Sequence, residues 1–156
     1  MIRKAENSDI PRILELLVQV NMVHHNGRPD LFKGPATKYT EEELETIIAD
    51  PERPVFVFTD EKDITLGYAF CIVKETKNDN LMMDHRTLYI DDLCVDEKCR
   101  GQHIGKQLLE YVESYAKKNS FDSLTLNVWK LNDSAYEFYL KNGMVIQKIG
   151  MEKILR

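Results

Sequence analysis

The sequence predicts an α/β domain, in the α+β sense, built on a mixed sheet. Three observations carry that expectation. Apolar residues recur at helical spacing in separate segments. Short β-branched and aromatic runs lie between them. The order reads β-α-α-β-β-β-α-β-α-β, with no linker or repeat to divide the 156 residues. A chain of this length buries roughly 68–70% of its unfolded surface, enough for one core, so residues 1–156 are read as a single domain.

Residues 2–6 predict a short first strand. Ser8 is the expected N-cap of the first helix, with Pro11 in the first turn, where a missing N–H costs little. Ile10, Ile13, Leu14 and Leu17 give its apolar face. Residues 24–39, with Gly27, Pro29, Gly34 and Pro35, predict an irregular segment. Thr40 and Glu43 form a capping box for a helix to about Ala49. Val55–Thr59 and Ile64–Val73 read as a hairpin across the turn Asp60–Asp63, and residues 76–85 as a polar loop. Leu88–Val95 is the next strand. Ile104, Leu108, Leu109, Val112, Tyr115 and Ala116 mark one face of a long helix. Leu124–Val128 is a strand and Asp133–Lys141 a helix stopped by Asn142-Gly143. Met144–Leu155 is again read as strand-rich.

Composition narrows the function classes. There are 21 basic and 26 acidic residues, a net charge of −5. Such a chain is a poor candidate for gripping a nucleic-acid backbone over a broad basic face. No apolar run approaches the roughly 18 residues of a membrane span, so no membrane partner is expected. The first residues carry acids and no apolar core of a signal peptide. Cys71, Cys94 and Cys99 form no C-x-x-C pair, so neither a disulfide framework nor a zinc site is expected, and the reading is cytoplasmic. His24 and His25 are adjacent, a poor spacing for joint metal ligands on a helix, and no metal is expected.

Residues 91–106 carry the chemistry. A strand ends, a glycine-containing loop turns, and a long helix begins. Unpaired N–H groups at a helix start and the helix dipole together favour an anion such as a pyrophosphate. Arg100 and Lys106 add charge, and Gly101 and Gly105 allow close backbone approach. The segment is neither a P-loop, because Gln107 follows Lys106, nor a G-x-G-x-x-G fingerprint.

Three features in order resemble the GNAT N-acetyltransferase superfamily. Arg100-Gly101-Gln102-His103-Ile104-Gly105 resembles its [Q/R]-x-x-G-x-[G/A] loop, except at His103. Leu93-Cys94-Val95 resembles the preceding strand. Asn132, Ala135, Phe138, Tyr139, Lys141 and Gly143 follow its N-x-x-A-x-x-F-Y-x-K-x-G signature. The resemblance implies a mostly antiparallel mixed sheet with one splayed parallel strand pair, flanked by helices. It implies acetyl-CoA as cosubstrate, held by Leu93, Cys94, Val95, the loop Arg100, Gly101, Gln102, His103, Ile104, Gly105 and Lys106, together with Asn132 and Tyr139. It places an oxyanion-binding N–H near Cys94. Tyr139 is the implied acid for the leaving thiolate, with core packing as the alternative; Phe138 and Tyr136 are assigned to packing.

An alkyl amine, with a pKa of about 10.4, arrives as ammonium and must lose a proton before it attacks. Asp91 is the candidate base, because Tyr89-Ile90-Asp91-Asp92-Leu93 resembles the polyamine acetyltransferase branch. A regular strand would send Asp91 and Asp92 to opposite faces, and a bulge would change that, so Asp92 is the alternate base. An ion pair or a solvated edge is the plainer account of either acid. Cys94 with His103 as a nucleophilic pair is weighed against a small buried cysteine, and the buried reading is preferred. His24, Asp30, Phe32 and Tyr39 are candidates to line the acceptor side, with a surface loop as the alternative. The expected function is acetyl transfer to a primary amine of a small molecule, with a protein N-terminal or lysine acetyltransferase and a non-catalytic coenzyme A-binding module as alternatives. Analogy allows a homodimer through sheet edges or C-terminal strands.

Overall fold

The computed structural model describes all 156 residues. Five strands form one sheet in the order β1-β2-β3-β4-β5. They are β1 (Ile2–Lys4), β2 (Val55–Thr59), β3 (Thr65–Thr76), β4 (His85–Val95) and β5 (Ser123–Leu126). The first four are antiparallel, and β4–β5 is the one parallel pair. Helices α1 (Ile10–Gly27) and α2 (Glu41–Ala49) share one core with Tyr68, Phe70 and Cys94. Helix α3 (Ile104–Lys118) packs on the other face, over Phe56, Ala69, Leu88 and Ile90. Helix α4 (Asp133–Lys141), through Phe138 and Tyr139, closes that second core. Gly67 on β3 is where α3 comes close: a Cβ there would stand 2.9 Å from the Cys94 carbonyl oxygen and 3.1 Å from Leu108.

The capping box at Thr40 and Glu43 forms as the sequence predicts. The start of α1 differs. Ser8 lies inside a short 3₁₀ turn, Asn7–Asp9, and the reciprocal cap is made by Glu6 and Asp9. Asp9 does more than Ser8 could, because its carboxylate also pairs with both Arg3 guanidinium nitrogens (2.8 and 3.0 Å) and accepts the Thr65 hydroxyl (2.9 Å). This joins β1, α1 and β3 at one buried acid. Helix α1 also runs further than predicted, so His24 and His25 sit on its last turn rather than in a loop.

The C-terminal segment departs most from expectation. Residues 144–156 contain no strand. After the Met144 N–H, no residue of that segment makes a main-chain hydrogen bond. Val145, Ile149, Met151 and Leu155 are exposed. A strand exists only where a partner edge completes its ladder, and the outer edge of β5 is not reached by this chain's own tail. No helix is long and apolar enough to cross a membrane.

Burial pushes the Asp9 carboxyl up, but Arg3, the Glu6 N–H and the Thr65 hydroxyl outweigh it and hold it below its ordinary value. A carboxyl lowered in the folded state stabilises the fold above its unfolded pKa of about 3.9, and that contribution disappears as pH falls through the folded value. Urea unfolding as a function of pH should therefore show stability lost on acidification below about pH 4. Asp9→Asn should flatten that limb and cost about 2 kcal/mol at neutral pH, since Arg3 loses its buried carboxylate partner and keeps only the exposed Asp63.

Candidate active site

The site begins with a register break. Phe70 pairs with Asp92 and Cys71 with Ile90, which leaves Asp91 as an extra residue in β4. Ile90 therefore belongs to the α3 core and Cys94 to the α1 core, although they are four residues apart in one strand. The bulge turns both acids to the same side. The Asp91 carboxylate accepts the Tyr39 hydroxyl (2.6 Å), Tyr39 packs on Phe70, and Asp92 accepts the Tyr68 hydroxyl (2.8 Å). The alternation rule for a regular strand is broken here, as a bulge allows.

The same strand then outruns its neighbour. β4 and β5 pair only from Thr87 with Ser123 to Ile90 with Leu126, so residues 91–95 have no partner on the β5 side. The Asp96 N–H donates to the Leu66 carbonyl at 2.8 Å. Strand alternation then turns the peptide groups of Cys94 toward β3, consistent with its carbonyl lying against Gly67. The groups of Leu93 and Val95 face the opening. The Cys94 side chain is buried, and burial followed by the charge of Asp92 pushes its thiol up to about 12. It packs as a small core residue and is not poised as a nucleophile.

Beyond β4 lies the loop that the sequence suggests as an anion site. Gly101 (φ 80°) and His103 (φ 60°) both adopt left-handed backbone, so His103 takes the conformation that glycine would adopt without strain. His103 starts α3 without capping it, and the first helical donor is Gln107 to His103. The N–H groups of Ile104, Gly105 and Lys106 are left free at the positive end of the helix dipole. Arg100, Gln102, His103 and Lys106 are exposed around them, and nothing lies within 4 Å of where a Gly101 Cβ would be. The loop is anchored from behind by Asp96, which pairs with Arg12 of α1 and accepts the Lys98 N–H. Free donors, added positive charge and open space fit a diphosphate.

Asn132 serves as the N-cap of α4, its Oδ1 accepting the Ala135 N–H at 3.2 Å. Tyr139 is half-buried and its hydroxyl has no hydrogen-bond partner within the chain. Burial, followed by the charges of Asp92 and Cys94, pushes its pKa above the ordinary value, so it keeps its proton at neutral pH. Phe138 packs as expected, whereas Tyr136 is exposed. Burial raises Asp92 to about 6, against the pull of Tyr68 and Lys38.

Around the two acids and α1 the structure brings together residues the sequence does not single out. Lys38 pairs with Asp91 at 2.9 Å, and Arg53 donates to the Tyr39 hydroxyl at 3.0 Å. His24 stacks on Phe32, and Phe32 meets Trp129 edge-on. Asp30 is instead held by Arg28 at the surface. Tyr68, Lys38 and Trp129 act through neighbours remote in sequence, and only the aromatic type of Trp129 hints at a role.

A sheet that opens beside two acids thus lies next to a helix start with free N–H donors. The chain belongs to the acetyltransferase (GNAT) family, whose model matches residues 12–144. It is 32% identical over 106 residues to the peptidyl-lysine N-acetyltransferase YjaB of Salmonella typhimurium, covering 67% of this chain and 60% of that one. It is 35% identical over 85 residues to the probable N-acetyltransferase san of Drosophila melanogaster, covering 54% of this chain and 43% of that one. The matched region thus spans roughly half the length of these relatives. A crystal structure of a mutant of the BH1408 protein from Bacillus halodurans superposes with a TM-score of 0.96 at 33% identity, covering 100% of this chain and 99% of that one. The family uses acetyl-CoA as cosubstrate.

Acetyl-CoA at 100 times its dissociation constant should add about 2.7 kcal/mol, or on the order of 5–10 °C in Tm. Gly101→Val, strained at positive φ, should weaken that shift, as measured by thermal-shift titration.

Proposed function

We propose that the protein transfers the acetyl group of acetyl-CoA to a primary amine of a small, positively charged molecule, with diamines and polyamines as the first candidates. The observation that carries this reading is the bulge that sets Asp91 and Asp92 on one side where β4 outruns β5. Asp91 already holds an ammonium, that of Lys38, and is read as the group that recognises the acceptor's charge. Asp92 is the base. Its raised pKa, about 6, brings it closer to working pH than an ordinary carboxylate. It takes the ammonium proton, directly or through water, and the freed amine attacks the thioester carbonyl. The Leu93 N–H is the donor on the open side for the developing oxyanion.

Tyr139 completes the site. A thiol has a pKa of about 8.5, well below that of a tyrosine raised above its ordinary value, so full proton transfer to the leaving sulfur is uphill. Tyr139 therefore stabilises the thiolate by donating a hydrogen bond, and solvent supplies the final proton. The main-chain donors at Ile104, Gly105 and Lys106, with Arg100 and Lys106, hold the diphosphate. Leu93 and Val95 offer peptide groups to the pantetheine arm. The three free cysteines fit a reducing, cytoplasmic setting. A protein lysine as acceptor is the second reading, favoured by the name of the Salmonella relative.

We also propose a homodimer. Each copy offers an extended apolar tail without main-chain partners and a free β5 edge, and reciprocal exchange satisfies both within a closed two-fold pair. Light scattering should give a dimer for the full chain and a monomer for Ile149→Asp/Met151→Asp; a monomeric wild type would overturn this.

Thiol release from acetyl-CoA with a panel of amines tests the main reading. Turnover should rise with pH through about 6 as Asp92 loses its proton, and Asp92→Asn should lose that limb. Tyr139→Phe should lower kcat by about 10²-fold with acetyl-CoA binding retained. No release with any amine, despite a saturable acetyl-CoA shift, would overturn it.

A further inference from the structure

Lys38 has no part in the reaction as described, yet its ammonium stands where an acceptor would. Four lysines make ion pairs: Lys38, Lys77, Lys106 and Lys117. The carboxylates facing the last three are 40–60% exposed, whereas Asp91 is 13% exposed. Three of these pairs are therefore solvated surface contacts, whereas Lys38 faces a mostly buried carboxylate. Its Nζ lies 2.9 Å from Asp91 Oδ1 and 5.6 Å from the Tyr39 ring centre. Its charge bears on Asp92 below and on His24 beside it. The segment that carries it, residues 28–40, has neither helix nor strand, and the Lys38 side chain is 45% exposed. It is a primary amine on a long, rotatable stem, docked against the acid assigned to acceptor recognition.

We propose that Lys38 is an internal acceptor: without an external amine, the enzyme transfers one acetyl group to its own Lys38 Nζ. This rests on acyl transfer by Asp92 and Tyr139 as described above. The Lys38 ammonium gives a proton to Asp92, and its lone pair attacks the thioester carbonyl carbon. A C–N bond forms and the C–S bond breaks. Coenzyme A leaves as a thiolate hydrogen-bonded by Tyr139, the second proton of the attacking nitrogen passes through water to that sulfur, and Asp92 releases the first to solvent. The product is a neutral amide. It can no longer pair with Asp91, which is left free for the ammonium of an external acceptor. Self-acetylation thereby opens the acceptor position.

The test incubates the full chain with acetyl-CoA and no amine, followed by intact-mass measurement and peptide mapping. Wild type should gain a single acetyl group at Lys38, about tenfold or more faster than at any other lysine, because the amine is held in place. Lys38→Arg should lose that fast phase while keeping its thermal shift with acetyl-CoA, and Tyr139→Phe should slow it. Acetylation spread evenly over surface lysines, or unchanged in Tyr139→Phe, would mark simple chemical modification and overturn the inference. Lys38 left unmodified in the amine-free incubation, while added diamine is acetylated in a separate one, would overturn it and leave the enzymatic reading standing. Failure of both Lys38 and every added amine, with coenzyme still bound, would remove both.

Discussion

One extra residue in β4 governs the site. Without the bulge at Asp91, Asp92 would share a face with Ile90 and point into the α3 core, where an unpaired carboxylate is costly. With it, two adjacent acids stand side by side, each tied to a tyrosine from a different element. The tyrosines do unequal work. Tyr68, fully buried, fixes Asp92 from within the sheet. Tyr39, from the segment before α2, holds Asp91 from outside together with Lys38. Two chemically identical side chains thus acquire separate environments, the usual condition for dividing recognition from proton transfer.

The donor half and the acceptor half are built differently. The donor half is stiff. Asp96 ties the loop to α1 through Arg12, the left-handed residues at 101 and 103 fix its path, and α3 is clamped to β3 at Gly67. The acceptor half hangs on side chains. His24, Phe32 and Trp129 form an aromatic stack joining α1 to the segment after β5, and Tyr39 bridges Phe70 and Asp91. The side chains of Asn21 and His25 on α1 also hold the backbone of the segment before α2, at Phe32, Lys33 and Ala36.

The fold is largely legible in the sequence because its signals are local. The capping box at Thr40, the apolar face from Ile104 to Ala116 and the β-branched run at Val55 need only near neighbours to be read. The motif from Arg100 to Gly105 marks the loop before α3 for the same reason, and the left-handed turn at His103 is foreseeable from the glycine it replaces. What escapes depends on distance. Lys38 and Asp91, like Tyr68 and Asp92, come from separate elements, and no period or spacing records such a meeting. The composition of the C-terminal segment suits a strand. Composition does not say whose edge completes the ladder, and in a single copy none does.

The irregular stretch from Arg28 to Thr40 has a consequence for how such an enzyme diversifies. In the proposed reaction it supplies the groups that meet the acceptor, yet no strand pairing and no helix runs through its backbone. Substitutions and insertions there leave the coenzyme-binding frame intact, because loops tolerate change that a sheet does not. On the proposed reaction, a lineage carrying this frame can therefore exchange one amine for another by rewriting this one short stretch and leaving the rest unchanged.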